Sequence, residues 1–153
     1  MALLTTNSPY ATGARPMPVA QGAEVLRVRM VHTLSANPTA NDVAWLGDLP
    51  EDHVIVDIIL DSTDIDTNGS PTVTISVGEL NAGKTDLATT YIAASTVGQT
   101  GSLARPTTAV AVQTAPQATA KRSIGLKFPA VAATFAAGSV GVTLIYAASY
   151  GGV

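Results

Sequence analysis

Ser139-Val140-Gly141-Val142-Thr143-Leu144-Ile145-Tyr146-Ala147-Ala148-Ser149 decides how this chain folds. It lies in a run, Phe128 to Val153, with no charged side chain, and that run is long enough to cross a bilayer as a helix of about 20 apolar residues. The spacing rejects that reading. Val140, Val142, Leu144 and Tyr146 alternate with Gly141, Thr143, Ile145 and Ala147, while Pro129, Gly138, Gly141, Gly151 and Gly152 interrupt the run. Alternation with β-branched residues describes a buried strand, and no membrane segment.

The same alternation recurs upstream. In Glu24 to His32, Leu26, Val28 and Met30 share one side, and Arg27 and Arg29 share the other with Val25 and Val31. In His53 to Asp61, Val54, Val56, Ile58 and Leu60 share a face, and Ile55 and Ile59 flank Asp57 on the other. Thr72 to Val77 points Val73, Ile75 and Val77 inward, and Arg122 to Phe128 does so with Ile124, Leu126 and Phe128. Val110 to Val112 reads as a weak strand, and Asp42 to Leu46 is a short apolar piece carrying the single tryptophan, Trp45. Turns fall at Asn37-Pro38, at Asp48 to Asp52 and around Asn68-Gly69. Thr85 to Val97 reads as the one helix: Thr85 caps it, Asp86 complements its dipole, and Leu87, Tyr91, Ile92 and Ser95 lie near one side.

Several short strands with turns between them predict an all-β fold, a jelly-roll-like β-sandwich with at most one short helix. The sandwich is expected over 24–153 as a single domain. Residues 1–23 are expected as an extended N-terminal arm, because Pro9, Pro16, Pro18, Gly13 and Gly22 leave no periodicity there. Such an arm is either a loose terminus or a strap that docks on a neighbour through Tyr10, Arg15, Met17 and Val19. Met1 to Asn7 has neither the positive start nor the apolar length of a secretory signal.

Composition narrows the function. The chain has 153 residues, net charge −3, no cysteine and 12% charged residues, against about 25% in an average globular protein. The missing cysteines remove disulfides, thiolate metal sites and a thiol nucleophile. The charge argues against direct nucleic-acid binding, and the 46% hydrophobic content argues against general disorder. Ala and Thr replace the missing charge with 45 residues. Free monomers keep apart by charge, so a surface that omits it fits lasting contact with other subunits.

Three motifs bear on chemistry. Gly78-Glu79-Leu80-Asn81-Ala82-Gly83-Lys84-Thr85 formally matches a phosphate-binding loop, with Lys84 on phosphates and Thr85 on Mg²⁺. That loop belongs to a parallel sheet wrapped by helices, which this pattern lacks. A strand-to-helix turn with an exposed lysine fits better. Asp64-Ile65-Asp66-Thr67-Asn68-Gly69 opens like a calcium loop, but Ile75 stands where the bidentate Glu belongs. A cation site from Asp61, Asp64 and Asp66 competes there with a solvated loop whose Asp and Asn bond the local backbone. His32 and His53 lack metal-ligand spacing, and no Ser sits in a nucleophile motif. No cofactor, metal or catalytic residue is expected. Arg27 and Arg29, side by side on one strand face, suit an acidic partner or simply a solvated face.

The stretches Leu26 to Arg29, Asp48-Leu49-Pro50, Val54 to Asp61, Thr72 to Gly78, Ile124 to Phe128 and Ala136 to Tyr146 together resemble small tailed-bacteriophage virion proteins. The resemblance is to head decoration (cement) proteins with jelly-roll-like β folds, over most of 24–148. It implies a non-enzymatic structural protein on the exterior of the virion, bound to the major capsid protein and bridging its neighbours. Closed symmetry then suggests contact with copies of itself, as a dimer or trimer. The contacts expected are Tyr10, Arg15, Met17, Val19, Arg27 and Arg29. The competing readings are a head-fibre or host-surface-binding β module of the virion and a small phosphate-loop nucleotide-binding protein.

Overall fold

The computed structural model describes residues 1–4, 8–21, 24–107 and 120–149. These residues form eight strands in chain order: β1 (Val25–Leu34), β2 (Val43–Leu49), β3 (His53–Ser62), β4 (Thr74–Leu80), β5 (Leu87–Ser95), β6 (Leu103–Ala104), β7 (Arg122–Ala130) and β8 (Gly138–Ala148). A single 3₁₀ turn, Val97–Gln99, is the helical element among them. The strands make two four-stranded antiparallel sheets, β1–β8–β3–β6 and β2–β7–β4–β5. First pairs with last, second with seventh, third with sixth and fourth with fifth. That nested pairing is the jelly-roll arrangement of an all-β sandwich.

Val140, Val142, Leu144 and Tyr146 of β8 are fully buried, as their spacing predicts. They share one core with Met30 of β1, Ile75 and Val77 of β4, and Ile124, Leu126 and Phe128 of β7. Each such side chain contributes roughly 1.5–3 kcal/mol by leaving water. β8 lacks charge for a topological reason. It is flanked by β1 and β3, and even outward Thr143 is 2% exposed between Arg29 and Ile59.

Two expectations are corrected. The helix expected over 85–97 is β5. Its pairing with β4 is irregular at three points, each placing an extra residue in β5. Those bulges break the alternation and bury Tyr91 beside Ile92, which imitates helical spacing. In β3 a bulge at Val56 falls between Ile55, opposite Tyr146, and Asp57, opposite Ile145. Ile55, Ile58 and Leu60 therefore face inward, and Val56 is turned out. The weak strand at Val110 to Val112 lies outside the described residues.

Within the segment 1–23 expected as an extended arm, described residues 8–21 fold back on the domain. The Ser8 hydroxyl donates to the Leu46 carbonyl at 2.5 Å. The Tyr146 hydroxyl donates to the Pro18 carbonyl at 2.7 Å, and the Ala20 N–H donates to His53 Nε2 at 2.9 Å. Ala2 and Leu4 add backbone bonds to Val43, covering the edge of β2.

Candidate functional site

The six residues expected to make contacts fall on two separate surfaces. Tyr10, Arg15, Met17 and Val19 are brought together, with Asp48, Pro50 and Lys121, around an open groove of about 390 Å³. Turns made by the Ser8 and Pro9 carbonyls shape this segment. Tyr10 lies against Gly47, where a Cβ would meet the Tyr10 Cβ at 2.9 Å. The Arg15 guanidinium stands 5.8 Å from the Tyr10 ring centroid, a cation–π contact. Asp48 is engaged elsewhere, accepting from Trp45 Nε1 and from the Ser123 hydroxyl. Val19 remains 61% exposed at the rim.

Arg27 and Arg29 sit apart from that groove, on the outer face of the β1–β8–β3–β6 sheet. Arg29 crosses β8 to Asp61 of β3, donating from Nε at 3.1 Å and from Nη2. This crossing needs Gly141: a Cβ there would meet Arg29 Nη2 at 2.5 Å and Asp61 Oδ1 at 2.7 Å. Arg105 Nη1 pairs with Asp57 on the same sheet at 2.5 Å. Val25 is exposed on this face beside Arg27 and Arg29, as its spacing predicts, and sequence reading missed two further exposed aliphatics here, Val56 and Leu103. Only the bulge explains Val56, and no local sequence signal marks a bulge.

The remaining motifs become structural. Gly78 to Thr85 is the β4–β5 hairpin, not a strand-to-helix turn. Asn81 Oδ1 accepts the Thr85 N–H at 2.9 Å, and Lys84, half-buried, lies over Trp45. The turn thus closes on its own side chains, and its lysine is spent on an aromatic face. Asp61 is paired with Arg29, and Asp64 Oδ1 accepts the Asp66 N–H. Asp66 is 1% exposed, not solvated, and its carboxylate accepts four backbone N–H groups, from Thr72, Val73, Ala133 and Thr134. Burial alone would raise its pKa; the four donors outweigh that and hold it far below the usual carboxylate range. Among the described residues, no group of three His, Cys, Asp or Glu side chains is placed to hold a metal. No helix among them is long and apolar enough to cross a membrane.

The histidines do separate work. His53 Nε2 accepts from Ala20 while Nδ1 donates to the Glu51 carbonyl at 2.7 Å, which ties the returning segment to β3. His32 is buried, its Nδ1 has no hydrogen-bond partner among the described residues, and desolvation lowers its pKa. A polar knot that sequence reading overlooked joins the two sheets. Arg122 Nη1 pairs with Glu79 at 3.0 Å and Nη2 donates to the His53 carbonyl at 2.6 Å, while the Tyr91 hydroxyl donates to the same Glu79. Burial first, then the hydrogen bond to Glu79 and that carboxylate's charge, pushes the Tyr91 pKa well up.

A chain of the structure "Capsid of Ralstonia phage GP4" matches this one at 39% identity and TM-score 0.84, covering 96% of this chain and 98% of that chain. A chain of the structure "Cyanophage Pam1 capsid asymmetric unit" matches at 30% identity and TM-score 0.64, covering 87% of this chain and 94% of that chain. No family model matches the chain, and no curated protein matches it.

Proposed function

The chain belongs to a family of phage capsid proteins and is a structural component of the virion, and on that premise we propose that it decorates and cements the shell. It binds the exterior of the capsid and ties neighbouring major capsid protein subunits together. The observation that carries this reading is the near full-length, 39% identical match to a chain of a phage capsid.

Two features of the molecule support the finer role. A cement must touch more than one neighbour, and this chain offers two distinct surfaces: the groove beside Tyr10 and Val19, and the sheet face that bears Arg27 and Arg29. Its body is stiff, with two sheets locked by one core and by the Arg122 knot. Weak contacts repeated over a symmetric lattice then give strong retention without a large single affinity. Association of copies as a dimer or trimer, as closed symmetry favours, adds to that retention.

A cryo-EM map of native particles tests this. The expected result is density for the sandwich on the outer surface of the shell, bridging two capsid subunits. Density inside the shell, or a sandwich touching a single subunit, overturns the cementing role.

A further inference from the structure

We propose that the outer face of the β1–β8–β3–β6 sheet docks on another capsid chain whose surface presents aliphatic side chains and a carboxylate that reaches Arg27. This rests on the capsid reading and names the surface and the partner chemistry.

The face is laid out by register. Val25, Ala147 and Val54 form one row; Arg27, Ile145 and Asp57 form the next; Arg29, Thr143 and Ile59 form the third. A sheet face turned to water is ordinarily polar. Here Val25, Val56 and Leu103 are 58%, 53% and 66% exposed, and Val54, Ile59 and Ile145 lie half-buried beside them. The β3 bulge adds to this patch by turning Val56 outward, and bulges characteristically re-aim a side chain at a working surface. The opposite sheet is different. Its outer face is partly covered by its own chain, with Lys84 over Trp45, Leu80 against Gly125 and Lys127 paired to Asp86, and its exposed edge strand β5 carries Ala and Thr rather than large aliphatics.

Charge selects the partner. Three arginines meet two aspartates on the exposed sheet, a local excess of positive charge in a chain of net −3. Arg29 has Asp61 and Arg105 has Asp57; among the described residues Arg27 is in no ion pair. A carboxylate from outside completes the set. A two-fold copy of the same face would instead set a second cationic surface against the first, which electrostatics disfavours.

The test uses shells of the phage assembled without this chain, with retention of added protein read by co-sedimentation. Wild type is expected to bind. Arg27→Glu and Val56→Asp are each expected to weaken binding by about tenfold or more, Arg27→Lys by much less, and Thr89→Asp on the other sheet not at all. Both key positions are exposed, and circular dichroism verifies their folds; if Arg27→Glu unfolds, Arg27→Gln reads the same contact. Wild-type binding with undiminished Arg27 and Val56 variants overturns this face while leaving the capsid reading intact. Failure of wild type to bind overturns both. A change in the self-association of Val56→Asp without shells assigns the face to a second copy and overturns the proposal.

Discussion

The ammonium nitrogen of Lys84 stands 3.3 Å from the centroid of the Trp45 ring. Lys84 occupies the left-handed region, with φ of 53°, in the hairpin after β4, and Trp45 lies on β2 two strands away. The lysine of a formal phosphate-binding motif is thus a clamp that folds the hairpin onto the sheet. Lys84→Met, which keeps the stem and removes the charge, is expected to cost about 0.5–1 kcal/mol in urea unfolding. It is also expected to alter Trp45 fluorescence. Millimolar ATP is expected to leave the melting temperature of the wild type unchanged; a rise that Lys84→Met abolishes would restore the nucleotide reading.

Asp66 joins the β3–β4 and β7–β8 connections, since its four donors come in pairs from each. Its pKa is lowered in the folded state, so its stabilisation is complete above the ordinary carboxylate value near 4 and is lost as pH falls through the folded value. Asp66→Asn presents an NH₂ where a donor already points. The variant is expected to unfold at lower urea than wild type at pH 7. The gap should narrow as pH drops below about 4, because acid removes in wild type what the substitution removed already.

His32 gives a second pH window. Burial lowers its folded pKa, so the unfolded chain takes up a proton more readily. Stability is therefore full above about pH 6.5, the unfolded value, and falls as pH drops from there through the folded value. His32→Phe removes the titrating ring and keeps an apolar filler. The expected outcome is a flatter stability profile just below about pH 6.5, with the Asp66 window still present at lower pH. An unchanged slope would assign that window to another group.

Alternation made the inner faces legible. Val140 to Tyr146, Ile124 to Phe128 and Val73 to Val77 point where their spacing says, because a regular strand between two neighbours leaves each side chain one choice of face. It failed where an extra residue enters one strand of a pair. The β5 bulges turned a strand into an apparent helix, and the Val56 bulge exposed a side chain assigned to the core. Bulges are set by the partner strand and leave little trace in local sequence. The candidate surface was half legible for the same reason. Arg27 and Arg29 stand on an outer face as expected, but the aliphatics beside them are defined by the sheet's neighbours. The contacts of the proline-rich start left no local signal, because its anchors, Leu46 and His53, and its contact with Tyr146 are distant in sequence.

Gly78 and Gly141 make a paired test of what a missing side chain is for. Neither has a left-handed φ, so alanine is conformationally allowed at both, and only surroundings differ. At Gly141 a methyl meets the far ends of Arg29 and Asp61, which are 46% and 31% exposed and can swing aside. The pair lost there is worth about 1 kcal/mol at most, and alanine is preferred over glycine in a strand by roughly 0.5–1 kcal/mol. The two nearly cancel. Gly141→Ala is expected to leave stability almost unchanged, and adding Arg29→Ala to it should cost less than Arg29→Ala alone. At Gly78 the methyl would fall on the Thr89 carbonyl oxygen and crowd the Thr90 Cα at 3.0 Å, which are backbone of the paired strand and cannot rotate away. Gly78→Ala must push β5 off β4, at roughly 1–3 kcal/mol or more. Equilibrium unfolding in urea compares the two directly, and a Gly141→Ala variant less stable than Gly78→Ala would contradict the close approach of β4 and β5.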